Sequence, residues 1–516
     1  MPEIKILWAD DEIEMLRPHV LFLEEKGYMV ATTSSGDNAL ELLEGERFDI
    51  MLLDENMPGL SGLETLEKVK SLQPSMPVIM ITKSEEESIM EEAIGSKISD
   101  YLIKPVNPNQ ILLSLKKNLD TNRLISEKTA SDYQMEFRNI GMRLNDDLDY
   151  DEWKDVYQKL VHWELELDRT DEVGMEEVLL MQKSEANLQF SRFIQENYSH
   201  WLSHPDEAPV MSHTLFKNEV YPHIEGGQSL FFVIIDNLRY DQWKVLKPII
   251  SEMFWVDRED AFYSIIPSTT QYSRNAIFAG LMPSEIEKVH PEMWLNDDEQ
   301  GGKNNFEKDL LESQLKRLGK NVDFTYNKVL NINYGKKLVE RIPGMMNNQL
   351  NVIIYNFVDM LSHARTDTEI IRELASDESA YRSVTQSWFE HSPLLDSLRE
   401  ISRRKGKVII ATDHGSVLVK EAVKILGDKE TNTNLRYKQG KNLNYDARDV
   451  IEFKNPEEIF LPRINVSQSF VFAKEDQFFA YPNNFNHYVK YYKDTFQHGG
   501  VSLEEMIIPL VQLSPK

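Results

Sequence analysis

The chain has 516 residues, a formal net charge of -28 and no cysteine, and at roughly 100–200 residues per domain that length implies about three domains. Without cysteine, disulfides and thiolate metal ligands are excluded, so any metal must be held by histidine or oxygen donors. The acidity disfavours long-range attraction to duplex nucleic acid or to anionic membranes, and makes direct DNA binding an unfavoured reading.

The amino terminus, MPEIKILWADDE, lacks a basic segment followed by an apolar run and a cleavage site. No window approaches the roughly 18 apolar residues needed to span a bilayer. A soluble, cytoplasmic protein without membrane insertion is therefore expected. Residues 5–9, 49–53 and 78–82 read as buried parallel strands with amphipathic helices between them, which predicts a doubly wound α/β sheet over residues 1–120. Asp10 and Asp11 end the strand at 5–9 and Asp54 the strand at 49–53, placing three carboxylates at one sheet edge. Like charges at that range repel unless a divalent cation sits among them, and hard oxygen ligands select Mg2+. Thr82 and Lys104 end later strands and bring a hydroxyl and an ammonium to Asp54.

With Asp54-Glu-Asn56-Met-Pro58-Gly59, this set resembles the receiver domain of two-component response regulators. The resemblance implies that Asp54 is the phospho-acceptor and that Asp11 and the Asn56 carbonyl join it around Mg2+, with Asp10 acting through the hydration shell. Thr82 and Tyr101 would be the switch pair, and Lys104 would bind the acyl phosphate. The competing reading is a receiver-shaped domain that is never phosphorylated.

Residues 110–204 contain no proline and only Gly141 and Gly174, a composition favouring long helices and a helical connector over 121–205. Trp153, Val156, Tyr157, Leu160 and Val161 fall on one helical face, as do Phe190, Phe193, Ile194, Tyr198, Trp201 and Leu202. Packing within the connector accounts for both stripes; a lever or part of a dimer interface is the alternative.

Over 206–516, strands and helices alternate. Three apolar runs lead into carboxylates: LFFVII into Asp236, VIIYNFV into Asp359, and VIIAT into Asp413 and His414. A sheet that delivers acids and histidines to one edge builds a metal site. Asp359 and His363 share a helical face at i, i+4, and His498 lies in a glycine-relaxed loop. Pro267-Ser268-Thr269-Thr270-Gln271 offers a hydroxyl nucleophile, although a Ser/Thr cluster after a strand is usually a turn or helix cap. Two polar insertions, 296–305 and 427–446, read as loops. Lys429, Arg436, Lys438 and Lys441 of the second are either solvated or set to meet a substrate phosphate.

These motifs resemble the alkaline phosphatase superfamily, and within it the PglZ branch. Carried over, Asp236, Thr270, Asp413 and His414 would hold one Zn2+, and Asp359, His363 and His498 the other, with Mn2+ possible. The spacing to Gly280 favours Thr270 over Thr269 as the nucleophile. Asn237 and Arg239, just beyond the first strand, are candidates for substrate contact, with solvent exposure or helix capping as the favoured alternative. Receiver, connector and PglZ domain together resemble response regulators linked to type IX secretion. That resemblance implies phosphorylation by a histidine kinase or small phosphodonor, phosphorylation-dependent homodimerisation, and hydrolysis of nucleotide phosphodiesters such as linear or cyclic oligonucleotides. The alternative is a non-catalytic, metal-stabilised regulator that binds a transcription factor or secretion component.

Overall fold

The apolar runs near the amino terminus form β1 (Lys5–Ala9), β3 (Ile50–Asp54) and β4 (Val78–Thr82), joined by β2 (Met29–Thr33) and β5 (Asp100–Ile103). All pair in parallel, in the order β2-β1-β3-β4-β5. Helices α1 (Arg17–Glu25), α2 (Gly36–Gly45) and α3 (Gly62–Leu72) connect them. Strand order reverses between β1 and β3, and the crevice beyond their carboxyl ends is where such sheets bind ligands. Asp10 and Asp11 follow β1, and Asp54 closes β3. The structure, a computed structural model, describes residues 4–73, 76–83, 98–169, 175–224, 227–297, 299–319, 321–367, 373–375, 377–428, 431–464 and 466–516. Side chains 44, 120–131 and 363–367 lie outside the described set.

Two compact units divide the chain, Met1–Asp132 and Tyr133–Lys516, and helix α4 (Pro108–Arg143) crosses the boundary. In the second unit, α5 (Tyr150–Leu167) begins at a capping box in which Asp149 and Glu152 satisfy each other's backbone N–H groups, and α6 (Met175–Ser203) follows. Both aromatic stripes are buried except at Phe193, which is half-buried against the same core. Trp153 packs on Phe190, and Phe190 and Trp201 pack on Tyr263 of β7 (Phe254–Tyr263). The connector therefore shares one core with the C-terminal sheet, and the buried stripe residues are not available as a dimer seam.

That sheet has six strands, β6 (Leu230–Ile235), β7, β8 (Phe324–Val329), β9 (Leu350–Tyr355), β10 (Lys407–Ala411) and β18 (Ile507–Pro515), in the order β7-β18-β10-β6-β9-β8. Only β18 runs against the others. The adjacent central strands β10, β6 and β9 lead to Asp413, Asp236 and Asp359, which brings these residues to one edge. Asp359 is not itself at a strand end. β9 stops at Tyr355, and Asp359 lies in the first turn of helix Phe357–Asp367, which also carries His363; the His363 side chain is outside the described residues.

Smaller strands complete the unit: β11 (Val417–Val419), β12 (Glu421–Lys424), β13 (Tyr437–Lys441), β14 (Val450–Phe453), β15 (Gln468–Ala473), β16 (Gln477–Ala480) and β17 (Thr495–Gln497). β13 corrects the expectation of a loop over 427–446, because it pairs with β15. Arg436 just before it is fully buried, with its guanidinium on Glu505 and on three backbone carbonyls. Lys438 is buried too, donating to the Asn432 carbonyl beneath the Tyr481 ring. Neither cation is solvated or turned toward a substrate, and Lys429 is outside the described residues. Among the described residues no helix is long and apolar enough to cross a membrane.

Candidate functional site

At the edge of the five-stranded sheet, Asp10, Asp11 and Asp54 each bring a carboxylate oxygen within 4.8 Å of the others. Asp10 and Asp54 are buried and Asp11 is exposed, so the group opens to solvent on one side. The Lys104 ammonium lies 2.9 Å from Asp10 Oδ2 and 2.9 Å from Asp54 Oδ1. Burial draws Lys104 toward neutrality, but these two bonds outweigh it and its pKa is raised. Thr82 donates its hydroxyl to the Glu55 carboxylate, Asn56 is exposed, and Tyr101 is half-buried against the core that includes Leu53 and Met57. α3 passes so close to β3 that a Cβ at Gly62 would sit 2.4 Å from the Asp54 carbonyl oxygen.

In the second unit, Asp236, Asp413 and His414 form one group of potential ligands, and Asp359, His414 and His498 another. His414 is common to both. Thr270 Oγ1 points into the first group, 3.0 Å from His414 Nε2 and 3.3 Å from Asp236 Oδ1. The Thr269 hydroxyl is buried elsewhere with no hydrogen-bond partner. His414 Nδ1 lies 3.0 Å from the Gly415 carbonyl, and His498 Nδ1 lies 3.3 Å from the Ser268 carbonyl. A carbonyl only accepts, so each neutral ring carries its hydrogen on Nδ1 and turns a bare Nε2 to the centre, the tautomer a metal needs. His498 Nε2 is 3.6 Å from Asp359 Oδ1, and the two imidazoles stack at 4.2 Å.

The loops that carry these histidines interlock with the acidic helix Leu503–Met506. A Cβ at Gly415 would lie 2.0 Å from the Glu504 carbonyl oxygen, and Gly499, at φ +120°, is 2.9 Å in the same sense from the Tyr437 ring.

Both aspartates of the first group are buried, and their surroundings pull them apart. Burial works against ionisation of Asp236, but the Arg274 and His414 charges prevail and hold its pKa below the ordinary value. Burial and the Asp236 charge together raise Asp413. His414 would be lowered by burial, yet Asp413, Asp236 and Asp359 raise it. Asp413 Oδ1 accepts the backbone N–H groups of Asn237 and His414, whereas its buried Oδ2 has no hydrogen-bond donor. Oxygen and imidazole donors converging on an orphaned carboxylate oxygen fit a divalent cation.

Asn237 and Arg239 lie beneath the site, not facing a substrate. Asn237, with φ +62°, is fully buried and donates its amide to Ser362 Oγ. Arg239 is 1% exposed, with its guanidinium on Asp241 and Glu378. Arg274 has no counterpart among the sequence candidates. Its Nη1 is 2.6 Å from Asp236 Oδ2 and 3.6 Å from Asp413 Oδ2. Its i+4 spacing from Thr270 is the one signal in the sequence that places it on that residue's face.

Family models match three segments of the chain: the response regulator receiver domain over 6–116, the PorX response regulator linker domain over 123–202, and the BREX system PglZ alkaline phosphatase-like domain over 215–513. The chain is 32% identical over 139 residues to the transcriptional regulatory protein ZraR of Klebsiella oxytoca, a stretch that covers 27% of this chain and 31% of that protein. It is 32% identical over 143 residues to the response regulator SaeR of Staphylococcus epidermidis, covering 27% and 59%. It thus spans about a third of the length of the first of these curated relatives, 31%. Among solved structures, a CheY-like receiver domain protein from Methanospirillum hungatei JF-1 matches at 32% identity, covering 23% of this chain and 95% of that one, with a TM-score of 0.23. The chemotaxis response regulator CheY4 of Vibrio cholerae matches at 30% identity, covering 23% and 99%, with a TM-score of 0.22.

Proposed function

The chain belongs to the PglZ alkaline phosphatase-like family and carries a receiver domain and a PorX-type linker ahead of that domain, and from this two-component regulator with a hydrolase-like output we propose a phosphodiesterase that uses Thr270 as its nucleophile. The observation that carries the reading is the aim of one hydroxyl: Thr270 Oγ1 meets Asp236 Oδ1 and His414 Nε2 at 3.3 and 3.0 Å, within a cluster of acids and imidazoles.

Asp236, Asp413 and His414, with Thr270, would hold one Zn2+ or Mn2+, and Asp359 and His498 the other, with His363 joining them by its place on the same helix as Asp359. Such cations supply Lewis acidity, which acidifies a hydroxyl and spreads the charge of a phosphoryl transition state. The chain's own part is positional. Thr270 Oγ forms the new bond to phosphorus as the bond to the leaving oxygen breaks, and water then hydrolyses the phosphothreonine to restore the hydroxyl. The carbonyls of Gly415 and Ser268 keep both imidazoles in the tautomer that presents Nε2.

In the receiver, Mg2+ at Asp10, Asp11, Asp54 and the Asn56 carbonyl would let a histidine kinase or small phosphodonor phosphorylate Asp54. Thr82, Tyr101 and Lys104 would respond to the new charge and favour a homodimer. The substrates are nucleotide phosphodiesters, linear or cyclic oligonucleotides, in the control of type IX secretion from the cytoplasm. In an assay on an activated aryl phosphodiester, Thr270→Ala should lower kcat by at least about 10³-fold, and metal-stripped protein should fall equally. Parental rates in both would overturn the reading.

A further inference from the structure

Thr270 and Arg274 sit at the two ends of one π-helical turn, Thr270–Arg274, and they grip the same carboxylate from opposite sides. Asp236 Oδ1 faces Thr270 and His414, while Asp236 Oδ2 is taken by Arg274 Nη1 at 2.6 Å. The same nitrogen stands 3.6 Å from the Asp413 oxygen that lacks a hydrogen-bond donor. Resting on the cation-dependent reading above, we infer that Arg274, anchored by Glu307, is a positioning residue that fixes which oxygens of Asp236 and Asp413 are presented to a cation.

Arg274 is not a loose counterion filling space between acids. Its Nε is bonded at 2.5 Å to Glu307 Oε1, and both residues are 1% exposed. Glu307 is itself fixed from behind by Lys328 Nζ at 3.0 Å and by the Tyr326 hydroxyl. Lys328 also donates to the carbonyl of Asn304, whose amide donates to the Thr270 carbonyl at 3.0 Å. The guanidinium is thus held independently of the aspartates it orients, and the backbone of the nucleophile is tied to the same bonded set. Partners of this kind, beyond the ligands themselves, typically set metal affinity by 10- to 100-fold.

Two opposed effects meet here. A cation beside a metal site repels the incoming ion, whereas a guanidinium that fixes both carboxylates prepays their orientation; the anchoring by Glu307 makes the second effect prevail. The test is Zn2+ titration of the full chain by chelator competition. The parent should bind two ions in the second unit, and Arg274→Met should weaken one of them by roughly 10- to 100-fold while sparing the other. Arg274→Lys should recover part of the loss. Glu307→Gln touches no ligand and leaves Arg274 in place, so it should weaken the same ion by a smaller factor, and it carries the test alone if Arg274→Met fails to fold by its thermal melt. Unchanged or tighter binding in a folded Arg274→Met, or in Glu307→Gln when that variant alone is testable, overturns the role of Arg274. If the parent takes up no divalent cation at all, the reading of the site falls and this role falls with it.

Discussion

Asp54 shows how much a single carboxylate is altered by its place at the end of a buried strand. Burial raises its pKa from the ordinary 3.8 to about 6, Asp10 and Asp11 add to the rise, and the Lys104 ammonium pulls against it. A carboxyl raised on folding favours the fold while protonated. That contribution is complete below about 3.8 and is lost as pH rises through about 6. In metal-free protein at pH 8, the receiver transition of Asp54→Asn should therefore melt above that of the parent, and the gap should close as pH falls from 6 toward 4. Mg2+ added at pH 8 should raise the parent and narrow the gap. Calorimetry across this range checks it, and a gap that does not vary with pH would refute the account. Thr82 adds a residue-scale constraint: its hydroxyl is engaged by Glu55, and the proposed switch role would require that bond to break.

At the scale of elements, buried charges behind the candidate ligands join the connector helices to the loops that carry the site. Lys183 of α6 reaches Glu164 of α5 at 2.7 Å, Glu378 at 2.9 Å and Glu504 at 3.8 Å. Arg382 bridges Glu164, Asp168 and Asp241, and Arg239 bridges Asp241 and Glu378. Asn187 of α6 donates to Glu504 and accepts the backbone N–H of Leu503, a few residues beyond His498. Removing one partner of such a set strands the others without water. Lys183→Met should accordingly cost about 3–5 kcal/mol of stability in the second unit. Adding Glu164→Gln should return part of that, because the two sites share partners and are not additive. Denaturant titrations of the single and double variants measure both; a loss under about 1 kcal/mol for Lys183→Met would show the network to be dispensable.

For the molecule as a whole, the net charge of -28 disfavours long-range attraction to nucleic acid, and the proposed phosphorylation of Asp54 predicts control by association. Light-scattering mass should double when an acyl-phosphate mimic is added with Mg2+, and should stay monomeric in Asp54→Ala; an unchanged mass in the parent would count against a phosphorylation-driven dimer.

Much of the plan is local, and so could be read from the chain. Strands are apolar runs, and the polar residue that ends each one announces itself; Asp54, Asp236 and Asp413 stand out for that reason. Asp359 was legible as part of an i, i+4 pair, but the run before it hid the turn from strand to helix at Tyr355. The 427–446 insertion looked like a solvated loop because its cations are paired only in three dimensions: Arg436 and Glu505 are 69 residues apart. The sequence by itself determined the apolar strands that carry the two sites, the acids beyond their ends and the chemistry they offer, since each depends on neighbours within a few positions. Tertiary structure alone decided that His414 belongs to both ligand groups, that Arg274 and Glu307 hold Asp236, and that Lys183 ties the connector to the site. Those are pairings of buried charge across tens to hundreds of residues, and their free energy exists only once folding has taken the partners out of water.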